Sequence, residues 1–535
     1  MNNKKLQVWL PLLFALTMIT GMFLGFRLRD RSAGGRSFLS GGSSNTIDEV
    51  LDLVKNRYVD NVSADSLENI AIEDVLAHLD PHSVYIPAKE LQGVNDDMKG
   101  SFMGIGVEFQ QFNDTVNVMN VIKDGPADKA GLQVGDKALR ANDTVVLAGR
   151  HLSGDAIKSI LRGPEGSPVK LTVLRNGAPK DVVIRRGAIP LPSVDAAYLL
   201  EPGTGYIRIN KFSQTTYGEF MQGMEKLKKA GMQQLVLDLR GNGGGILQMA
   251  VNIADEFLSG DKLIVRTRGS KFEGEEYRAK KEGVFEKGNL VVLVDETSAS
   301  ASEVLSGALQ DWDRATIIGR RTFGKGLVQQ QYQLSDGGGL RLTVARYYTP
   351  LGRNIQKSYS KGKEAYEQEL ITRFHNGEVV AGDTSKPTGQ AYKTPGGRTV
   401  YGGGGITPDV FVPFDTTTQP RAVTDLYIRG TLNRFVYDYY MQNRSLLNQY
   451  KSPADLAGRF VPGEKEWRQL ENLAAKDSIS LSAVPVKAKE DVLKKIPALL
   501  AKQVWRNEGY FEVNNLTDPM ILAAEAQLKK EAPAK

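Results

Sequence analysis

"NLVVLVDETSASASEVLSGALQDW", residues 289–312, is the stretch on which the fold turns. The apolar run Leu290, Val291, Val292, Leu293, Val294 is short, β-branched and followed at once by small polar residues, so it reads as a buried strand. Three serines then alternate with alanines, and "SEVLSGALQDW" continues as a helix. The same strand–turn–helix order occurs upstream in "QQLVLDLRGNGGGILQMAVNIADEFLSG", residues 233–260. From about Ile189 to Phe414 strands and helices alternate, which predicts a mostly parallel α/β core. In such a sheet both turns fall at the carboxyl edge, where open α/β folds bind ligands. The free amides of a helix N-terminus can stabilise an oxyanion there.

A serine at that edge, Ser298, Ser300 or Ser302, is a candidate nucleophile, and the residues alone do not choose among them. A nucleophile needs a base. The four histidines (His78, His82, His151, His375) stand far along the chain from these turns and read as loop and surface residues. "GRRTFGKG", residues 319–326, offers Lys325 between glycines and beside Phe323. A lysine acts as base only when burial destabilises its charged form. This stretch is not a phosphate-binding loop, because Gly326 stands where the magnesium-binding hydroxyl is needed and the following "LVQQQYQL" reads as a strand.

Outward from the core, residues 99–188 form a β-rich module. "GIGVEFQ" and "TVNVMNVI" alternate as strands, and "SPVKLTVLRNGAPKDVVIRR" reads as a hairpin turning at Asn176-Gly177. In "GSFMGIGVEF" the loop carrying Gly104, Ile105 and Gly106 can point N–H groups at a carboxylate, and the next strand offers an edge to an extended peptide. Residues 46–98 and 416–535 read as helical; in the latter Val492, Leu493, Ile496, Leu500 and Val504 follow helical spacing.

Composition excludes several classes. The 535 residues include no cysteine, which removes disulfides, thiolate nucleophiles and cysteine-rich zinc sites. The net charge of +6 is spread without a basic stripe, which argues against nucleic acid as a partner. No cofactor or metal is expected. The uncharged apolar run 6–26 has the length of a membrane span and lacks a small-residue cleavage site, so residues 1–27 read as an anchor rather than a signal. Residues 28–45 follow as a Gly/Ser-rich tether.

Together "LDPHSVYIP", "GSFMGIGVEF", "GPADKAGLQVGDKAL", "LVLDLRGNGGG", "TSASASEVLSGALQD", "TFGKGLVQ", "RYYTPLGRNIQ" and "GITPD" resemble, in order, the carboxy-terminal processing (tail-specific) proteases over residues 46–415. The resemblance implies a multidomain α/β protein with a serine protease core at 189–415 and a PDZ domain at 99–188; the N-terminal helical segment at 46–98 and the C-terminal helical extension at 416–535 are read from their residues, the latter outside the match. It implies Ser300 as nucleophile, Lys325 as general base and Gln329 as the lysine's support. Oxyanion donors would be the N–H groups of Ala301 and of Gly243 or Gly244. Substrate tails, from unfolded or flexible proteins, would meet Gly104, Ile105, Gly106 and Arg162. It further implies a bacterial inner-membrane protein with its catalytic part in the periplasm, working as a homo-oligomer or with an adaptor. Residues 357–400 interrupt the family's path from "RNIQ" to "GITPD" as an insertion. The competing reading is an anchored PDZ scaffold or chaperone on an inactive hydrolase core; intact Ser300, Lys325 and Gln329 weigh against it.

Overall fold

The computed structural model describes residues 17–22, 46–112, 114–149, 151–382 and 389–531. The anchor expected at 1–27 lies outside the described residues except for a helical turn at 17–22, as does the tether at 28–45. Among the described residues no helix is long and apolar enough to cross a membrane. The chain divides into two units, Met1–Ile72 and Glu73–Lys535. The first contains the helix Thr46–Arg57, none of whose residues is buried, and most of the helix Ala64–Ala77.

In the second unit a six-stranded sheet carries the core. The strand Thr204–Ile209 pairs antiparallel with Val194–Glu201 and parallel with Gln234–Asp238. Leu290–Val294, Thr316–Gly319 and the short Val410–Phe411 follow, all parallel. All five residues of Leu290–Val294 are buried because both faces are covered. Leu290, Val292 and Val294 meet the helices Leu247–Asp255 and Ala301–Asp311. Val291 and Leu293 meet Met520, Ile521, Ala524 and Leu528 of the helix Pro519–Glu531. Each side chain buried in this way contributes about 1.5–3 kcal/mol. The last helix is thus a layer of the core, so the C-terminal extension does not stand apart as the division at residue 416 implied. The rest of that extension has its own core around Leu432, Trp467, Val492 and Leu500.

The β-rich module sits on strands Val107–Phe112, Thr115–Val121, Lys137–Ala141, Pro168–Arg175 and Ala178–Arg185, packed over Ile157 and Leu161. Its hairpin turns through Asn176 and Gly177, both at positive φ, the geometry that a two-residue turn between twisted strands requires. The helical reading of 46–98 needs correction. Val84–Ile86 is a strand, pairing antiparallel with Gly339–Tyr348 in a second sheet. Three residues between a turn and Pro87 are too short to show a period of two.

Candidate active site

The serine turn is built from its hydroxyls. The Ser298 hydroxyl donates to Leu239 O (2.9 Å) and accepts from Asp295 N (3.0 Å). The Ser302 hydroxyl donates to Asn242 O (2.9 Å). Both serines are fully buried and pin the turn to the neighbouring strand and glycine loop. Ser300, between them, is partly exposed, and its hydroxyl donates to no protein acceptor among the described residues. Its backbone sits at φ 55°, ψ −113°, a conformation a serine adopts at a cost of about 1–3 kcal/mol and one that lifts its side chain out of the turn.

The glycine loop meets this turn through Asn242, whose carbonyl accepts from Ala299 N (3.0 Å) and whose side chain binds Ile209 O (3.0 Å). A Cβ on Gly244 would lie 2.8 Å from both Ala299 O and Ser300 Cβ, so only glycine allows the two loops to touch. The Gly244 N–H, however, is donated to Asn242 Oδ1 (2.9 Å). Of the two glycines expected as oxyanion donors, Gly244 is therefore a spacer. The N–H groups of Gly243 and Ala301 are uncommitted among the described residues.

Lys325 reaches the serine turn through shared partners. Glu303, fully buried on the first turn of the helix Ala301–Asp311, accepts from Ser300 N (2.8 Å), Lys325 N (2.8 Å), Gly324 N (2.7 Å) and the Thr322 hydroxyl (2.5 Å). The Tyr347 hydroxyl bonds to both Ser300 O (3.0 Å) and Lys325 O. Phe323 N donates to Ser298 O (3.0 Å). No carboxylate lies within 4 Å of Lys325 Nζ among the described residues. Burial pushes the Lys325 ammonium below the ordinary lysine range, and the Arg341 charge adds to this; Glu303 and Asp80 oppose it. Burial likewise pushes the Glu303 carboxyl up, against the pull of its four donors.

No hydrogen bond joins Gln329 to Lys325 among the described residues. The Gln329 amide donates to the carbonyl of His82. His82 is the residue the sequence misplaced, since it is no surface histidine: its Nε2 lies 2.8 Å from the Tyr366 hydroxyl and its ring is tilted against Phe323 at 6.3 Å. Burial first, then the Lys325 charge, hold it down to about 4. Its turn is fixed by Asp80, which accepts from His82 N (2.8 Å) and Ser83 N (3.0 Å). Glu303 had a signal in the sequence, the S-x-x-E spacing of Ser300 and Glu303 at a helix start. Asp80 and His82 stand in "LDPHSVYIP" and Tyr347 in "RYYTPLGRNIQ", stretches of the family pattern, but nothing in them says that they reach this site, which they do through long-range packing.

In the β-rich module, Gly104, Ile105, Gly106 and Arg162 line one groove of about 450 Å³, with Phe102 and Leu161. The Ile105 and Gly106 N–H groups are uncommitted among the described residues, and the Arg162 guanidinium lies 4.4 Å over the Phe102 ring. Another cavity, of about 1040 Å³, lies between the inserted segment and the glycine run 402–405.

Three segments match known families: residues 203–364 peptidase family S41, residues 103–185 the PDZ domain, and residues 422–506 a family of unknown function. The chain is 36% identical over 346 residues to a carboxy-terminal-processing protease of Bartonella bacilliformis, covering 63% of this chain and 78% of that one. It is 34% identical over 342 residues to a probable CtpA-like serine protease of Staphylococcus haemolyticus, covering 64% and 67%. Among solved structures it is similar to the photosystem II D1 C-terminal processing protease at 29% identity and a TM-score of 0.35, covering 68% and 92%.

Proposed function

This chain belongs to peptidase family S41, among the carboxy-terminal-processing serine proteases, and from that premise we propose that it cuts proteins near their C-termini with Ser300 and Lys325. The observation that carries the assignment is the division of labour among the three serines. Two hydroxyls are spent on backbone carbonyls, and the third, that of Ser300, donates to no protein acceptor among the described residues, on a strained turn that shares Glu303 with Lys325.

In this reading the neutral Lys325 amine takes the Ser300 proton as the oxygen attacks the scissile carbonyl carbon. The N–H groups of Gly243 and Ala301 receive the oxyanion. As the tetrahedral species collapses, the C–N bond breaks and the Lys325 ammonium returns its proton to the leaving amine. Water, deprotonated by the same lysine, then attacks the acyl-serine ester and frees the new carboxylate and the Ser300 hydroxyl. Gln329 serves by holding the His82 carbonyl beside the lysine rather than by bonding to Nζ. The PDZ groove holds the substrate tail: the Ile105 and Gly106 amides take the terminal carboxylate, and the strand Val107–Phe112 pairs with the chain behind it. Residues 6–26 hold the protein to the bacterial inner membrane, with the protease on the periplasmic side.

The test compares Ser300→Ala, Ser298→Ala, Lys325→Ala and Lys325→Arg on an unfolded protein substrate, with products mapped by mass. Ser300→Ala and both lysine variants should lose cleavage while still capturing the tail, because arginine keeps its proton and cannot act as base. Wild-type activity should rise with pH as the lysine loses its proton. An active Lys325→Arg protein overturns the dyad. Sedimentation of the full chain with membranes, against a chain lacking residues 1–45, tests the anchor.

A further inference from the structure

The inserted segment contains the helix Lys363–His375, and one of its side chains enters the site. Arg373 is fully buried and forks over three successive carbonyls: Nη1 donates to Arg321 O (3.1 Å) and Thr322 O (2.8 Å), Nη2 to Phe323 O (3.2 Å). Its Nε is held by Glu369 (2.7 Å), which also binds Lys357 Nζ (2.9 Å). That ammonium in turn lies 3.9 Å over the Phe323 ring and 4.2 Å over Tyr366.

The stretch 321–325 has no strand partner, yet most of its backbone is paired. The N–H groups of Thr322, Phe323, Gly324 and Lys325 go to Ile406 O, Ser298 O and the two Glu303 oxygens. The Gly324 carbonyl accepts from Lys357 N (2.9 Å) and that of Lys325 from the Tyr347 hydroxyl. The Thr322 and Phe323 carbonyls have no donor other than Arg373 among the described residues, and Arg321 O is the third that it binds. A planar guanidinium that takes three carbonyls sets the orientation of those peptides in a way that a single-point donor cannot.

We propose that the insertion 357–400 is a brace for the catalytic loop and that Arg373 is its positioning residue, fixing residues 321–323, the stretch that leads into Lys325, so that the lysine stays buried. The inference rests on Lys325 as base. The charged or titratable groups around that lysine are Glu303, Arg341, Asp80 and His82. His82, held to about 4, is already neutral where the enzyme works. Loosening the loop hydrates Lys325, which moves its titration toward the ordinary lysine value and the rising limb of kcat to higher pH.

The experiment measures kcat and KM against pH for wild type, Arg373→Ala, Arg373→Lys and Lys325→Ala in the full chain. For both arginine variants the expected result is a kcat at neutral pH lower by about ten- to a hundredfold, the cost of roughly an ångström of misplacement. KM should stay within about twofold, since the tail is held elsewhere, and the limb should move up by about half a unit or more, so that the deficit shrinks with rising pH. A limb unmoved in both variants overturns the proposal, whatever the loss of kcat. If Arg373→Ala does not fold, the limb of Arg373→Lys decides; failure of both to fold also overturns it, as Arg373 would then be a folding residue. Activity in Lys325→Ala would instead refute the dyad itself, so the two failures are distinguishable.

Discussion

Replacing Glu303 with Gln tests whether one buried carboxylate assembles the site. The amide matches the carboxylate in shape but offers one acceptor and one donor. Turned toward Ser300 and Lys325, its oxygen keeps those two N–H groups, and its NH2 then faces Thr322 and Gly324. The Thr322 hydroxyl can reverse and accept, as it already does from Ile406 N (2.7 Å). The Gly324 N–H has no such freedom, and a buried donor left unpaired costs about 1–3 kcal/mol. The bonds from Ser300 N and Lys325 N also drop from a charged to a neutral acceptor, at about 1 kcal/mol each. The total is about 3–5 kcal/mol, concentrated on the contacts that join Ser300 to Lys325. If half of it appears as misplacement in the transition state, kcat falls by roughly ten- to a hundredfold. Steady-state cleavage of a fluorogenic peptide, alongside thermal unfolding, measures both parts; binding of a tail peptide to the groove should not change. A kcat within about threefold of wild type, with unaltered unfolding, would refute the reasoning. It would mean that Glu303 works as a protonated, neutral acceptor, the direction in which its burial pushes it.

Other outcomes follow from the same geometry. Ser302→Ala should lower stability by about 1–2 kcal/mol through the lost bond to Asn242 O, with kcat reduced less than in Ser300→Ala; equal and complete loss in both would sink the choice of nucleophile. His82 is held at about 4 against an ordinary 6.5, so the unfolded chain binds the extra proton and stability falls as pH drops from about 6.5 to about 4. His82→Gln should remove up to about 3 kcal/mol of that slope; an unchanged acid-unfolding curve contradicts it. Amidating the C-terminus of a substrate peptide should weaken capture by roughly ten- to a hundredfold, the worth of a charge-assisted hydrogen bond to the Ile105 and Gly106 amides. Equal capture of acid and amide would show that the groove does not read the terminus.

How much of this was legible along the chain depends on the reach of each signal. The strand Leu290–Val294 and the helix Ala301–Asp311 lie where an apolar run and a following helical pattern put them, because such patterns need only neighbours. The hairpin at Asn176-Gly177 was legible for the same reason. The helix Pro519–Glu531 was not, since nothing in its own sequence says that it covers Val291 and Leu293 more than 200 residues away. Ser300 and Lys325 could be named as candidates because the strand–turn–helix order puts the serines at the sheet edge, Lys325 stands between glycines beside Phe323, and the family resemblance picks Ser300 among the three serines. Their surroundings could not. The groups that hold Lys325 come from the turn at 80–83, from Glu303, from Tyr347 and Lys357 and, through the carbonyls before it, from Arg373 in a segment that reads as an interruption. A lysine in water is an acid at neutral pH, and burial is what weakens the hold of this one on its proton. The sequence pattern names the amine, but the property that gives it a function belongs to the packing.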